Sequence, residues 1–297
     1  PQTALLLGEI AAEVLPAGVL NVITGDGETV GAALVAHADV AVVTLTGDVS
    51  TGQAVAAAAS ATLKRTHLEL GGKAPMLVFD DADPVRVAAT ATMVGFGNTG
   101  QDCTSACRIL TTAKNYADVV DAIVDAANSI VPSGPFSADA IIGPLISEAH
   151  RDRVAGFVTR ATADGAEVVA GGAALDGPGW FYPPTVIVGA GQRSEIVQKE
   201  VFGPVVTIQL ADEADLAAMA LDVQYSLAAS VWTSDVSRAL RVARDLRVGT
   251  IWINDHFPLI SEMPHGGSGM SGHGRDLSTA SLESYTDLKH VVVNLGD

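Results

Sequence analysis

Between residues 18 and 79 the chain alternates short strand-like runs with Ala-rich helical ones. GVLNVI (18–23), VAVVTL (40–45), LKRTHLE (63–69) and APMLVF (74–79) are apolar or β-branched, and helical stretches at 28–37 and 50–61 separate the first three. Runs this short suit buried strands, and a strand, helix, strand order favours a parallel sheet with helices packed on its faces. The same rhythm predicts helices near 84–94, 114–129, 147–163, 212–221 and 235–246. It predicts strands at 107–112, 166–170, 184–188, 204–210, 227–233 and 249–253, with a last strand, YTDLKHVVV, at 285–293. The predicted fold class is therefore α/β, and a length of 297 residues suggests about two domains. The glycine-rich, aperiodic stretch PLISEMPHGGSGMSGHGRD (258–276) reads as a long functional loop rather than a linker. The chain opens at Pro1 on an amphipathic helix, TALLLGEIAAEV, with no strand ahead of it, so it is expected to be the back part of something longer.

Charge excludes several classes of partner. Thirty-four acidic against seventeen basic side chains give a net charge of −17, which repels phosphate backbones and anionic membranes. No uninterrupted apolar run reaches the roughly 18 residues of a membrane span, and the first residues lack a secretory pattern, so a cytoplasmic location is expected. Cys103 and Cys107 are the only cysteines, and two thiols four residues apart do not make a disulfide framework. The seven histidines are scattered without a CxxC or HxxxH, so no metal site is predicted.

Three places carry chemistry. In FGNTGQDCTSACR (96–108), Gly97, Gly100 and small polar residues suggest a turn at the mouth of a helix, where backbone N–H groups can stabilise a thiolate or an oxyanion at Cys103. The alternative for any cysteine is a small buried hydrophobe, a role that suits Cys107, just before the strand RILTT. In LELGGK (68–73), Glu69 lies between two leucines at a strand end. Burial there is costly unless the carboxylate is used, and desolvation raises its pKa toward that of a general base; a solvated strand-end glutamate is the other reading. Finally, GDGETVG (25–31) and TGDVSTG (46–52) each follow a strand and precede a helix, as phosphate-binding turns do, although neither completes GxGxxG and each alone is explained as a tight turn.

LELGGK, FGNTGQDCTSACR, KEVFGPVV (199–206) and GTIWIND (249–255) occur in the order and approximate spacing of the aldehyde dehydrogenase superfamily, which the chain resembles over essentially its whole length. Through GQDCTSACR, SEMPHGG and GHGRD it is similar to the aminoaldehyde branch, especially γ-aminobutyraldehyde dehydrogenases. The resemblance implies the rear part of an NAD(P)-binding Rossmann-like domain over 1–70, a catalytic thiol domain over 71–272 and a C-terminal segment with an oligomerisation strand over 273–297. It implies oxidation of an aldehyde to the carboxylic acid with NAD or NADP, by a homo-oligomer when the chain is full length.

Residue by residue, Cys103 matches the nucleophile that forms a thiohemiacetal and then a thioester, and Glu69 the base that activates water to hydrolyse it. Asp276 stands where relatives usually carry a proton-relaying glutamate, one methylene longer. Gly47 and Gly52 match the pair at the helix start beneath the cofactor pyrophosphate, with Gly71 also assigned to the cofactor. Glu200 matches the carboxylate that holds the nicotinamide ribose, and Phe202 the aromatic beside the nicotinamide. Asp102 next to the thiol either holds the ammonium of an aminoaldehyde or caps the following turn. The chain departs from the family in having Asp48 where a serine often donates to the pyrophosphate and Gly269 where a lysine is usual, and the family's PWN segment would lie upstream of Pro1. A non-catalytic assembly fragment and a coenzyme A-acylating enzyme are the alternatives, the latter disfavoured by the presence of Glu69.

Overall fold

The computed structural model describes residues 1–134, 136–137 and 140–296; Asp297, the end of the expected C-terminal segment, lies outside them. Ten strands form among these residues: β1 (Val42–Thr46), β2 (Arg65–Glu69), β3 (Pro75–Val78), β4 (Arg108–Thr111), β5 (Glu167–Ala170), β6 (Thr185–Val188), β7 (Val205–Leu210), β8 (Ala228–Trp232), β9 (Thr250–Ile253) and β10 (Gly272–His273). They build a three-stranded sheet in the order β1-β2-β10 and a seven-stranded sheet in the order β5-β6-β7-β4-β3-β8-β9. The chain passes from one sheet to the other between Glu69 and Pro75. Returning as β10, it rejoins the first sheet across the boundary expected at 272/273.

In the larger sheet every pair is parallel except β5-β6, and the central strands β3, β4 and β8 are buried along their whole length. That is why they read as unbroken apolar runs rather than as alternation. One face packs Met76, Ile109, Val206 and Ile208 against the helices Pro84–Phe96 and Tyr116–Ser129. The other buries Leu77, Leu110, Ala229 and Val231 under Leu216 and Ala239. Helix starts follow local chemistry. Asp83, ahead of Pro84, accepts from the Val85 N–H at 3.0 Å, and Asp235 accepts from the Ser237 and Arg238 N–H groups.

Two predicted strands are not formed. Residues 19–26 and 286–296 carry no strand, and Val19, Leu20, Ile23, Leu288 and Val291 are exposed. Apolar β-branched composition gives strand propensity, but a strand exists only where a neighbouring strand takes its N–H and C=O groups in a ladder, and no described strand pairs with either segment. The helix expected at 28–37 is split into a π-turn at Gly27–Gly31 and a short α-helix at Ala32–Ala36. Among the described residues no helix is long and apolar enough to cross a membrane.

Candidate active site

Topology sets the position of the site. In the small sheet β1 and β2 run parallel and end at Thr46 and Glu69, so the turn at Gly47 and Asp48 and the LELGG turn emerge side by side. In the large sheet the Cys103 turn precedes β4 and Phe202 precedes β7, which puts both at the entering ends of parallel strands. Between these two rims lies a cleft of about 450 Å³. Gly47, Asp48, Glu69 and Gly71 line it from the small sheet; Asp102, Cys103, Glu200 and Phe202 line it from the large one.

Glycines allow these segments to meet. A Cβ at Gly72 would collide with the Cys103 carbonyl, and one at Gly71 with the Glu200 carboxylate. Gly100, at φ +66, lies against the Gly203 backbone. The GG of LELGGK is thus required by close approach to two distant motifs. Asn98 and Thr99 also take left-handed φ of 50° and 58°, which folds 97–103 into the tight turn that carries the thiol.

The thiol of Cys103 is pushed up to about 12, chiefly by burial and then by the charges of Asp102, Glu200 and Glu69; its own backbone N–H opposes this. It is therefore a neutral thiol at neutral pH and needs a base. Cys107 does not line the cleft; its backbone serves Ser105 and Thr207 at the start of β4. Glu69 is only 5% exposed and its Oε1 has no hydrogen-bond partner. Desolvation, then repulsion from Asp276, raises its carboxyl to about 7, with Arg275 opposing. The Glu69 shift runs toward a near-neutral base as expected, whereas the Cys103 shift runs against the stabilised thiolate that the turn suggested, because burial and three carboxylates outweigh the backbone N–H.

Several predicted residues sit differently from what the resemblance implies. Asp102 Oδ1 accepts from the Thr104 N–H and Oγ1, both at 2.7 Å, so it caps the turn, while its carboxylate still lines the cleft. Glu200 accepts from the Gly72 N–H at 2.8 Å and is raised to about 7, mainly by burial. Its carboxylate is turned onto the glycine turn. Gly52 does not line the cleft; it is buried where a Cβ would strike Leu70, so its smallness lets the helix Val49–Ser60 rest on β2's end. Asp48 caps that helix, accepting from Ser50 N–H at 2.7 Å and Ser50 Oγ at 2.5 Å, and those hydrogen bonds hold its pKa below the usual carboxylate range. Asp276 lies outside the cleft lining, behind Glu69 and against His67.

Other residues were not singled out from the sequence. His150 and Arg153, on the helix Glu148–Ala163, line the cleft and grip its far wall: His150 Nε2 lies 2.6 Å from the Phe202 carbonyl, and Arg153 donates to the Glu200 carbonyl at 2.8 Å. His256, 1% exposed, spans from the Thr104 carbonyl (2.8 Å) to Ser230 Oγ (2.9 Å) and stacks on Trp252. Burial pulls it down to about 4, so it is a neutral brace behind the thiol turn. Ser271 donates to the Gly71 carbonyl at 2.8 Å, which ties the glycine-rich loop to LELGG. A lone histidine or a loop serine has no local signature, so only the tertiary contacts disclose these roles. Among the described residues, His67, Glu69 and Asp276 hold donor atoms within 4.8 Å of one another, a spacing that suits a shared proton or a cation.

A partly buried thiol and a buried carboxylate facing one cleft at the junction of two largely parallel sheets define the class as an α/β protein with a ligand-sized cleft between its sheets. Residues 1–291 match the aldehyde dehydrogenase family, and the chain belongs to that family. It is 41% identical over 301 residues to a betaine aldehyde dehydrogenase of Sinorhizobium fredii, covering 100% of this chain and 62% of that protein. The chain thus spans less than two thirds of the length of this relative. A betaine aldehyde dehydrogenase from Staphylococcus aureus, solved in complex with NAD+, superposes with a TM-score of 0.92 at 37% identity over 95% of this chain and 57% of that one. The lactaldehyde dehydrogenase of Escherichia coli gives 0.94 at 34% identity, over 96% and 60%.

Proposed function

We propose that this chain carries the thiol and the base of an NAD-linked dehydrogenase that oxidises a cationic aldehyde, an ω-aminoaldehyde such as 4-aminobutyraldehyde, to its carboxylic acid. The observation that carries the reading is that Cys103 and Glu69 line one cleft with the Glu69 carboxyl raised to about 7. A base is most effective when its pKa lies near the working pH. In this reading the Cys103 sulfur attacks the aldehyde carbon as its proton passes through Glu69 or water to the aldehyde oxygen, giving a thiohemiacetal, and loss of the hydride releases that oxygen's proton to leave a thioester. NAD, when bound, supplies the acceptor for the hydride that leaves this carbon. Water then attacks the resulting thioester, Glu69 takes a proton from that water, and the C–S bond breaks to return the sulfur to Cys103.

The cleft residues fit a nucleotide in part. Gly47 leaves backbone room beside the start of the helix Val49–Ser60, and Arg153 brings a cation to the same cleft. Phe202 offers an exposed aromatic face there. Asp48, however, occupies the helix start with a negative charge and already takes the Ser50 N–H. Asp48→Ser keeps an N-cap and removes that charge, and is expected to tighten NAD binding a few-fold, the scale of a charge at a helix terminus. A titration of NAD fluorescence quenching reads it directly, and unchanged or weaker binding would count against a phosphate at this turn.

Two observations support a cationic substrate: four carboxylates, Asp48, Glu69, Asp102 and Glu200, line the cleft against the single guanidinium of Arg153, and a relative acts on betaine aldehyde, which is permanently charged. Because Asp102 spends one oxygen on Thr104, the other is the candidate partner for an ammonium. Asp102→Asn keeps the cap and removes the charge. KM for 4-aminobutyraldehyde and betaine aldehyde is expected to rise about 5- to 50-fold, equivalent to roughly 1–2 kcal/mol for a partly buried charge pair, with butyraldehyde spared. Equal effects on charged and neutral aldehydes would leave Asp102 only its cap. Assembly of copies through the exposed Val291, Val292 and Val293 belongs to the same reading.

A further inference from the structure

His67 has no part in the reading above, yet it is the best-enclosed titratable side chain beside Glu69. It stands two residues earlier on β2, so both side chains leave the same face of the strand. It is 2% exposed. Its Nε2 lies 3.2 Å from Asp276 Oδ1 and 4.0 Å from Glu69 Oε1. The ring has a fitted slot. Gly274, at φ +97, passes over it where any Cβ would strike the imidazole, and Tyr285 stacks on it with centroids 6.0 Å apart. Neither ring nitrogen, nor Glu69 Oε1, makes an aligned hydrogen bond. Asp276 is therefore within hydrogen-bond distance of the ring without meeting hydrogen-bond geometry. Leaving three buried polar atoms unsatisfied is unfavourable unless the site uses them.

The register explains why this arrangement exists. β10 pairs with β2 through Gly272 with Glu69 and His273 with Leu68, and the backbones of His265 and Asp276 then bond to each other. That hairpin-like return brings Asp276 over His67 rather than onto Glu69. Asp276 is 45% exposed in its side chain, whereas Glu69 is buried. Glu69 opens only onto the cleft, where the acyl group lies during hydrolysis, whereas Asp276 borders solvent outside it.

We propose that His67 is the station through which the proton taken by Glu69 reaches Asp276 and then solvent, making it a positioning and relay residue for thioester hydrolysis. The inference rests on the function proposed above. In the step, water's oxygen bonds to the thioester carbon and its proton passes to Glu69; the C–S bond breaks and the electron pair returns to Cys103. The Glu69 proton then moves to His67 Nε2 and from that nitrogen to Asp276 Oδ1, so Glu69 is again a carboxylate and the charge balance is restored. The charged or titratable groups around the ring are Glu69, Asp276, Arg275 and Tyr285, with His265 on the far side of Asp276. A cation held by the same three side chains would occupy the Glu69 lone pair that accepts water's proton, so the two uses exclude each other.

The test is rapid-mixing kinetics on the full-length protein that contains this chain, with NAD and 4-aminobutyraldehyde, comparing His67→Gln, which keeps size and polarity, with His67→Ala. The first turnover of NADH should form at the parent rate in both. The following steady phase should fall about 10-fold or more, within the range of general acid–base contributions, with KM for the aldehyde unchanged. Added imidazole should restore the steady phase of His67→Ala. A steady phase within about twofold of the parent in His67→Gln would overturn the relay, as would a first turnover slowed as much as the second. So would a rise in parent turnover on adding EDTA, which would assign the trio to a cation. If His67→Gln fails to fold, imidazole rescue of His67→Ala decides, and absence of rescue there sinks the relay. A parent enzyme that forms no NADH with any aldehyde would instead refute the proposed function.

Discussion

Replacing Cys103 by alanine is expected to remove aldehyde-dependent NADH formation, by about 10⁴-fold or more, because no other group can form the covalent intermediate. Cys107→Ala should retain most activity. The two thiols lie on one loop but differ in surroundings: Cys103 lines the cleft with Ala74, Leu227 and Trp252 packed behind it, and Cys107 does not line it. Both variants are to be measured in full-length protein by NADH absorbance, together with mass mapping after limiting iodoacetamide. Because the Cys103 thiol is pushed up to about 12, its alkylation should be slow at neutral pH and accelerate steeply as pH rises. Turnover surviving in Cys103→Ala would reverse the assignment.

The second large effect concerns Glu69. Glu69→Gln is isosteric and should still release one NADH per site, then slow by about 10² to 10⁴, as expected when the base for hydrolysis is lost. The parent's hydrolysis rate should carry a limb in pH. A base works deprotonated, and with its carboxyl raised to about 7, activity should rise with pH through that value and level off above it. The limb should vanish in Glu69→Gln. In Asp276→Asn it should shift to lower pH, since the repulsion that helps hold the Glu69 proton on is removed. Carboxylate release at the parent rate by Glu69→Gln would exclude it as the base.

Much of this protein is legible locally. The cores of nine of the ten strands, and most longer helices, follow from short apolar runs and from caps such as Asp83 and Asp235, because propensity and capping act within a few residues. β10 was missed, since a two-residue strand made of Gly272 and His273 has no pattern of its own and exists because β2 offers an edge. Residues 18–23 failed in the opposite sense, having the pattern and no partner strand among the described residues. The glycines of LELGGK were visible as a motif. Their reason, contact with the Glu200 carboxylate and the Cys103 carbonyl, was not.

By itself, the sequence determined the α/β alternation and marked Glu69 as a costly carboxylate between two leucines and Cys103 as a thiol in a glycine-rich turn, because these signals lie in the residue and its neighbours in the chain. Only the tertiary structure decided that Gly71 and Gly72 meet Glu200 and Cys103, that Gly52 packs on Leu70 and not on the cleft, and that His67 faces Asp276 beside the base. These are distances between side chains set by strand register and loop return, and proximity of that kind is fixed by packing the whole chain rather than by any stretch of it.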